Sequence, residues 1–178
     1  REPFCKYYGV CGGCDLQHAG PSLQIEIKEN ILLDTLKRIG KIELAETPET
    51  ISAQETGYRR RAQIKLDREK EIAGFYKRRS RDIVDIDRCP LLTAPVNDIF
   101  KNKEQLFSGA PETHMTIKII STEDRAVSVP QIYGCNSGFL KIDILGKKFN
   151  VRGDDFFQSN LFLTEKMAEW VSSNIMEI

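Results

Sequence analysis

The stretch "YRRRAQIKLD", residues 58–67, alternates strictly: Tyr58, Arg60, Ala62, Ile64 and Leu66 share one face of an extended chain, and Arg59, Arg61, Gln63 and Lys65 share the other. A period of two predicts a half-buried β-strand with one very basic face. The segments that follow have the same character. A polar turn around Glu69 and Lys70 leads into "IAGFYKR" (72–78), then "DIVDIDRCP" (82–90), and "HMTIKII" (114–120), "AVSVPQIY" (126–133) and "GFLKIDIL" (138–145) read as further short strands. Consecutive strands with hairpin-length links predict a mainly antiparallel sheet and the fold class α+β.

Helical periodicity flanks the sheet. In "PSLQIEIKENILLDTLKRIG" (21–40), Leu23, Ile27, Ile31 and Ile39 share a stripe, with Ser22 as the expected N-cap and Gly40 as the stop. In "NLFLTEKMAEWVSSNIMEI" (160–178), Leu163, Met167, Trp170, Val171 and Ile175 recur at helical spacing, and Asn160 is placed to cap them. The sequence contains neither an internal repeat nor a low-complexity segment.

The 26 basic and 26 acidic side chains of the 178-residue chain cancel, and 40% hydrophobic with 29% charged residues describes a globular chain rather than a disordered one. The sum conceals a local imbalance. Between Tyr58 and Arg81 ten Lys and Arg face three acids. No apolar run approaches the ~20 residues of a membrane span and no charged-then-apolar leader precedes the first cysteine, so a cytoplasmic protein is expected. The chain begins at Arg1 without a methionine and stops inside a helical pattern, as a piece of a longer protein would.

Upstream of the first helix, "FCKYYGVCGGCDLQH" (4–18) gathers Cys5, Cys11 and Cys14. Three soft thiolates need one more ligand to bind zinc or an iron-sulfur cluster. Cys89 and Cys135 are the candidates. Cys89, in "DRCPLL", is preferred because the following proline stiffens its turn, as in the bacterial ferredoxin run. A disulfide framework is disfavoured by the odd count of five cysteines in a cytoplasmic chain. One C-x2-C, a five-residue spacer and a lone distant cysteine favour an iron-sulfur cluster over a zinc ribbon, with zinc remaining the alternative. Cys135, in the turn "IYGCNSG", has no nearby histidine to activate it and reads as a packed thiol, and His18 and His114 read as structural.

The C-x5-C-x2-C loop with "CGGCDLQH", the strand "YRRRAQIKL", the stretch "GFYKRRSRDIVDIDRCP" and the near-terminal "FFQSN" (156–160) together resemble the RNA uracil-5-methyltransferase family, in order and through essentially the whole chain. The resemblance implies a [4Fe-4S] cluster on Cys5, Cys11, Cys14 and Cys89, S-adenosylmethionine as methyl donor in the complete enzyme, and contact with that donor through Gln158. It also implies two regions. Residues 1–150 form the central iron-sulfur and RNA-binding domain with its N-terminal iron-sulfur loop, and 151–178 form the linker and first helix of a methyltransferase domain. That domain's glycine-rich cofactor loop, nucleophilic cysteine and general base have no counterpart here, so this piece is expected to be inactive alone and to be a monomer.

Arg59, Arg61 and Lys65 on the strand, with Lys77, Arg78 and Arg79 beyond the hairpin, are the expected RNA contacts, and Arg81 extends them. The cluster is one-signed in a neutral chain, arginine dominates it, and Tyr58, Phe75 and Tyr76 are interleaved as stacking platforms. Such contacts supply affinity without reading sequence. From other classes, a ferredoxin-like electron carrier and a zinc-stabilised RNA-binding module are the alternatives.

Overall fold

The computed structural model describes residues 1–109 and 112–175. Five strands, β1 (Arg61–Asp67), β2 (Ile72–Tyr76), β3 (Ile83–Asp85), β4 (His114–Ser121) and β5 (Ala126–Val129), form one antiparallel sheet in the order β3-β2-β1-β4-β5. β1 lies at the centre, paired with β4 along its whole length, from Arg61 opposite Ile120 to Asp67 opposite His114. Its alternation is the one expected. Ala62, Ile64 and Leu66 are buried, while Gln63 is exposed and Arg61 and Lys65 are half-buried.

β6 (Leu140–Ile144) and β7 (Lys147–Val151) make a separate two-stranded hairpin. The sequence pattern revealed β6 but not β7, because only Val151 of "KKFNV" is buried and the strand has no apolar period.

One face of the sheet is closed by a succession the sequence reading left without an element: α2 (Ala94–Asn97), a 3₁₀ turn (Asp98–Asn102) and α3 (Lys103–Ser108). Val96, Ile99, Phe100, Leu106 and Phe107 from these turns pack with Ala62, Ile64, Leu66, Ile117 and Ile119 in one core. Each fully buried large aliphatic side chain there contributes roughly 1.5–3 kcal/mol. Changing from α to 3₁₀ and back resets the helical period, which is why the apolar positions form no single stripe.

Both flanking helices form, with differences at their ends. α1 (Pro21–Thr35) is capped by Gly20 with Pro21 in its first turn, not by Ser22, since proline's missing donor suits that turn. It runs on as a π turn (Leu36–Gly40) that stops at Lys41 in the left-handed region. None of its expected apolar stripe is buried, and Ile39 is 75% exposed. α4 (Leu163–Ile175) is capped as expected: Asn160 Oδ1 accepts from the Phe162 and Leu163 amides. Residues 176–178, read as part of that helix, lie outside the described residues.

The approach of β2 to β3 requires glycine at position 74. A Cβ there would lie 2.1 Å from the Val84 carbonyl oxygen, a backbone atom that cannot move aside. Gly74→Ala is therefore expected to destabilise the chain by roughly 1–3 kcal/mol, as overpacking does. A lowered urea midpoint with unchanged slope checks this.

Candidate metal centre and nucleic-acid interface

Cys5, Cys11, Cys14 and Cys89 line one small cavity, together with Tyr7, Tyr8, Phe75, Ile86 and Leu91. All four thiols are free and half-buried. Among the described residues no three His, Cys, Asp or Glu side chains form a group that could hold a metal ion, although the four thiols border the same cavity. Cys135, the rejected fifth thiol, packs at the edge of the main core, and burial pushes its thiol up.

The local sequence folds this way because backbone pairing fixes the loop to the sheet. Cys11 bridges Lys77, the Gly12 amide donates to the Tyr76 carbonyl at 2.9 Å, and the Arg78 amide donates to the Val10 carbonyl at 2.9 Å. Gly12 suits that approach, since a Cβ would meet the Tyr76 oxygen at a tight 3.1 Å. A second clamp joins the loop to the turn before Cys89. Lys6 Nζ lies 2.6 Å from Asp87 Oδ2 and the Tyr7 hydroxyl donates to Asp87 Oδ1 at 2.8 Å. The Lys6 ammonium first, and the Tyr7 hydroxyl second, hold the Asp87 carboxyl down at about 2.

Two amides that the sequence reading passed over fix the cysteines themselves. Gln17, 5% exposed, accepts from the Cys5 amide at 3.2 Å and donates to Cys14 Sγ at 3.3 Å. Asn97 accepts from the Cys89 amide at 2.9 Å and donates to the carbonyls of Cys89 and Leu92 at 3.0 and 3.1 Å. Burial pushes the Cys14 thiol up, partly offset by the Gln17 bond, and burial also raises Cys89, offset by backbone hydrogen bonds.

Beside the thiol cavity runs a groove of about 440 Å³ lined by Gly12, Gly13, Asp15, Arg59, Gln63, Lys65, Phe75, Tyr76, Lys77, Arg78 and Arg79. Five of the six expected basic residues therefore share one depression. Gly13, Arg59 and Phe75 line both spaces and form the wall between them. The Lys65 ammonium sits 5.0 Å over the Tyr76 ring, and Arg78 pairs with Asp15, so its charge is locally compensated. Arg61 departs from the group: its guanidinium lies 5.8 Å over the ring of Phe156. Tyr58 is half-buried, with its hydroxyl pushed up by burial, and does not line the groove.

The "FFQSN" segment meets β1 directly. The Arg60 amide donates to the Ser159 carbonyl at 2.8 Å, and the Leu161 amide to the Tyr58 carbonyl at 2.8 Å. Its two aromatics divide: Phe157 packs edge-on to Phe149 against the smaller core, whereas Phe156 is 78% exposed. Gln158 is exposed and Ser159 half-buried.

No protein-family profile matches the chain. The 23S rRNA (uracil(1939)-C(5))-methyltransferase RlmD of Pseudomonas entomophila is 32% identical over 139 residues, covering 74% of this chain and 30% of that protein. RlmD of Dechloromonas aromatica is 36% identical over 112 residues, covering 61% of this chain and 26% of that protein. The chain belongs to the RNA (uracil-5-)-methyltransferase family. It spans about a quarter to a third of the length of these curated relatives. The crystal structure of Pyrococcus abyssi tRNA (uracil-54, C5)-methyltransferase with S-adenosyl-L-homocysteine shares the fold, with a TM-score of 0.65 at 19% identity over 93% of this chain and 51% of that one.

Because one Asn97 side chain satisfies three backbone groups of the Cys89 turn, Asn97→Ala is expected to cost about 1–3 kcal/mol, the penalty of stranding buried polar groups. Asn97→Asp, which accepts but cannot donate when ionised, should recover only part of that. Urea denaturation of the metal-free chain at neutral pH checks both.

Proposed function

We propose that this chain is the cluster-bearing, RNA-gripping region of an enzyme that transfers a methyl group from S-adenosylmethionine to carbon 5 of a uridine in ribosomal or transfer RNA. The observation that carries this reading is the shared wall of Gly13, Arg59 and Phe75, which sets a four-thiol cavity directly against a basic groove. The curated relatives supply the reaction class.

Cys5, Cys11, Cys14 and Cys89 would hold a [4Fe-4S] cluster. The donor set fits: four free thiols, soft ligands of the kind such clusters take, border one largely apolar space. When bound, the cluster supplies a rigid cross-link between the N-terminal loop and the turn at Cys89, closing a long chain loop that otherwise costs entropy.

Lys65, Lys77, Arg78 and Arg79, with Arg59, would hold RNA phosphates, and the exposed Tyr76 ring offers a base a face to stack on. Arg61, stacked on the exposed Phe156, extends this surface toward Gln158. Methylation of carbon 5 requires the target base to leave its stack at a cost of a few kcal/mol, and a grip on the surrounding backbone holds the RNA while it does so. Gln158 would touch the methyl donor, since an amide can both donate to a carboxylate or hydroxyl and accept from an amine. Residues 1–150 would act as the cluster and RNA domain, and 151–178 as the lead into the methyltransferase domain. The nucleophile and base would belong to a further part of the complete enzyme. Monomeric, cytoplasmic action completes the reading; among the described residues no helix is long and apolar enough to cross a membrane.

Chain prepared without oxygen is expected to be brown and to carry about four iron and four sulfide. Cys89→Ser should bleach it and Cys135→Ser should not; zinc without iron would favour the zinc-stabilised RNA module instead. Charge reversal at Arg59 and Arg61 should weaken binding to many RNA sequences alike and flatten the salt dependence by roughly 0.7 to 0.9 for each phosphate no longer neutralised. Filter binding across a salt series reads this out, and unchanged slopes would count against the groove. In the complete enzyme Gln158→Ala should raise the S-adenosylmethionine requirement with little change in RNA affinity.

A further inference from the structure

Among the described residues, the side chain that donates a hydrogen bond to one of the four cavity sulfurs is that of Gln17. It is 5% exposed, and its two ends are both committed. Oε1 accepts from the Cys5 amide at 3.2 Å and Nε2 donates to Cys14 Sγ at 3.3 Å. Its own carbonyl accepts from Arg1 Nε at 3.1 Å, so backbone and side chain are each tied down. One side-chain amide thus links the backbone of Cys5 to the sulfur of Cys14 and presents a fixed N–H dipole to that sulfur.

We infer that Gln17 is a positioning residue whose N–H···S bond to Cys14 raises the reduction potential of the cluster and whose two bonds together hold Cys5 and Cys14 in register. The inference rests on the cluster reading above. A donor aimed at a thiolate sulfur draws electron density from it and stabilises the more negative, reduced cluster, and hydrogen bonds to sulfur are among the levers that set such potentials. Burial strengthens the effect, because a dipole in a low-dielectric site is little screened. The Cys5 bond does separate work: it orders the backbone at the first ligand, so loss of Gln17 should also loosen that corner.

Two variants divide these roles. Gln17→Met is neutral and of similar length, and removes both bonds. Gln17→Glu retains an acceptor for the Cys5 amide but, when ionised, has no proton to give to sulfur. Each chain, purified without oxygen, is titrated with dithionite in the presence of mediators, the cluster gaining one electron as dithionite is oxidised, and the midpoint is read from its electron paramagnetic resonance signal. Resonance Raman spectra in H₂O and D₂O report the deuterium shift of the Fe–S stretching bands. Both variants are expected to keep four iron, to have midpoints more negative than wild type, and to show a smaller deuterium shift. Gln17→Met alone should also lose iron faster to a chelator. Midpoints and deuterium shifts unchanged in both variants, with iron present, would overturn the Gln17 assignment and leave the cluster reading standing. A wild-type chain without iron or sulfide would overturn the cluster reading, and this inference with it. Should Gln17→Met fail to fold, the deuterium shift of Gln17→Glu still decides, because added charge alone moves the midpoint but not the exchangeable proton at sulfur.

Discussion

The backbone of residues 58–60, the extended lead into β1, is the constraint from which the rest of the site follows. Its amides and carbonyls are bonded on two sides at once. Arg59 donates to Leu91 and accepts from Thr93, tying in the turn that carries Cys89. Arg60 donates to Ser159 and accepts from Ser121, and Tyr58 accepts from Leu161, tying in "FFQSN" and β4. Thiol cavity, basic groove and the Gln158 segment are therefore all referred to one strand buried at the centre of the sheet. Movement of that strand by even a fraction of an ångström would be felt at all three, because a close-packed core transmits displacement instead of absorbing it.

Arg60 shows what this arrangement costs. Its side chain is 4% exposed, and Nε and Nη1 have no hydrogen-bond partner within the described residues; only Nη2 donates, to the Leu161 carbonyl at 3.3 Å. Burial lowers its pKa, with distant Glu123 pulling the other way. The face of Phe157 at 5.8 Å returns part of the desolvation penalty, about 1–2 kcal/mol for a shielded cation on a ring. The strand's alternation required something at position 60 to face inward, and an arginine there exchanges some stability for a firm hold on the "FFQSN" junction.

Features with a period or a local rule were legible in the sequence. The alternation of β1, the Asn160 cap and the gathering of Cys5, Cys11 and Cys14 each follow from spacing along a few residues, and the structure carries Cys89 to the same cavity. What escaped was of two kinds. The turns over 94–108 change helix type midway, so their apolar residues follow no single period. Gln17 and Asn97 act through single amides on groups 12, 3 and 8 residues away, and nothing in composition distinguishes them from solvated polar residues. The apolar stripe of α1 marked a helix correctly and left its exposure unseen, since helical spacing reveals which residues share a face and not whether anything covers that face.

The wide separation of the cavity's cysteines along the chain also sets a timetable for synthesis. Cys14 leaves the ribosome 75 residues ahead of Cys89. At roughly 5–20 residues per second, the nascent chain carries three exposed thiols without their fourth partner for about 4–15 s. For most of that interval the Tyr76 carbonyl that receives Gly12 does not exist to order the loop, and Asn97 follows only after Cys89. The loop must reach the sheet already reduced, and an oxidant acting in those seconds could pair two of the early thiols with each other. Vulnerability to oxidation is then greatest in the newborn chain, before the turn at Cys89 has joined the early cysteines.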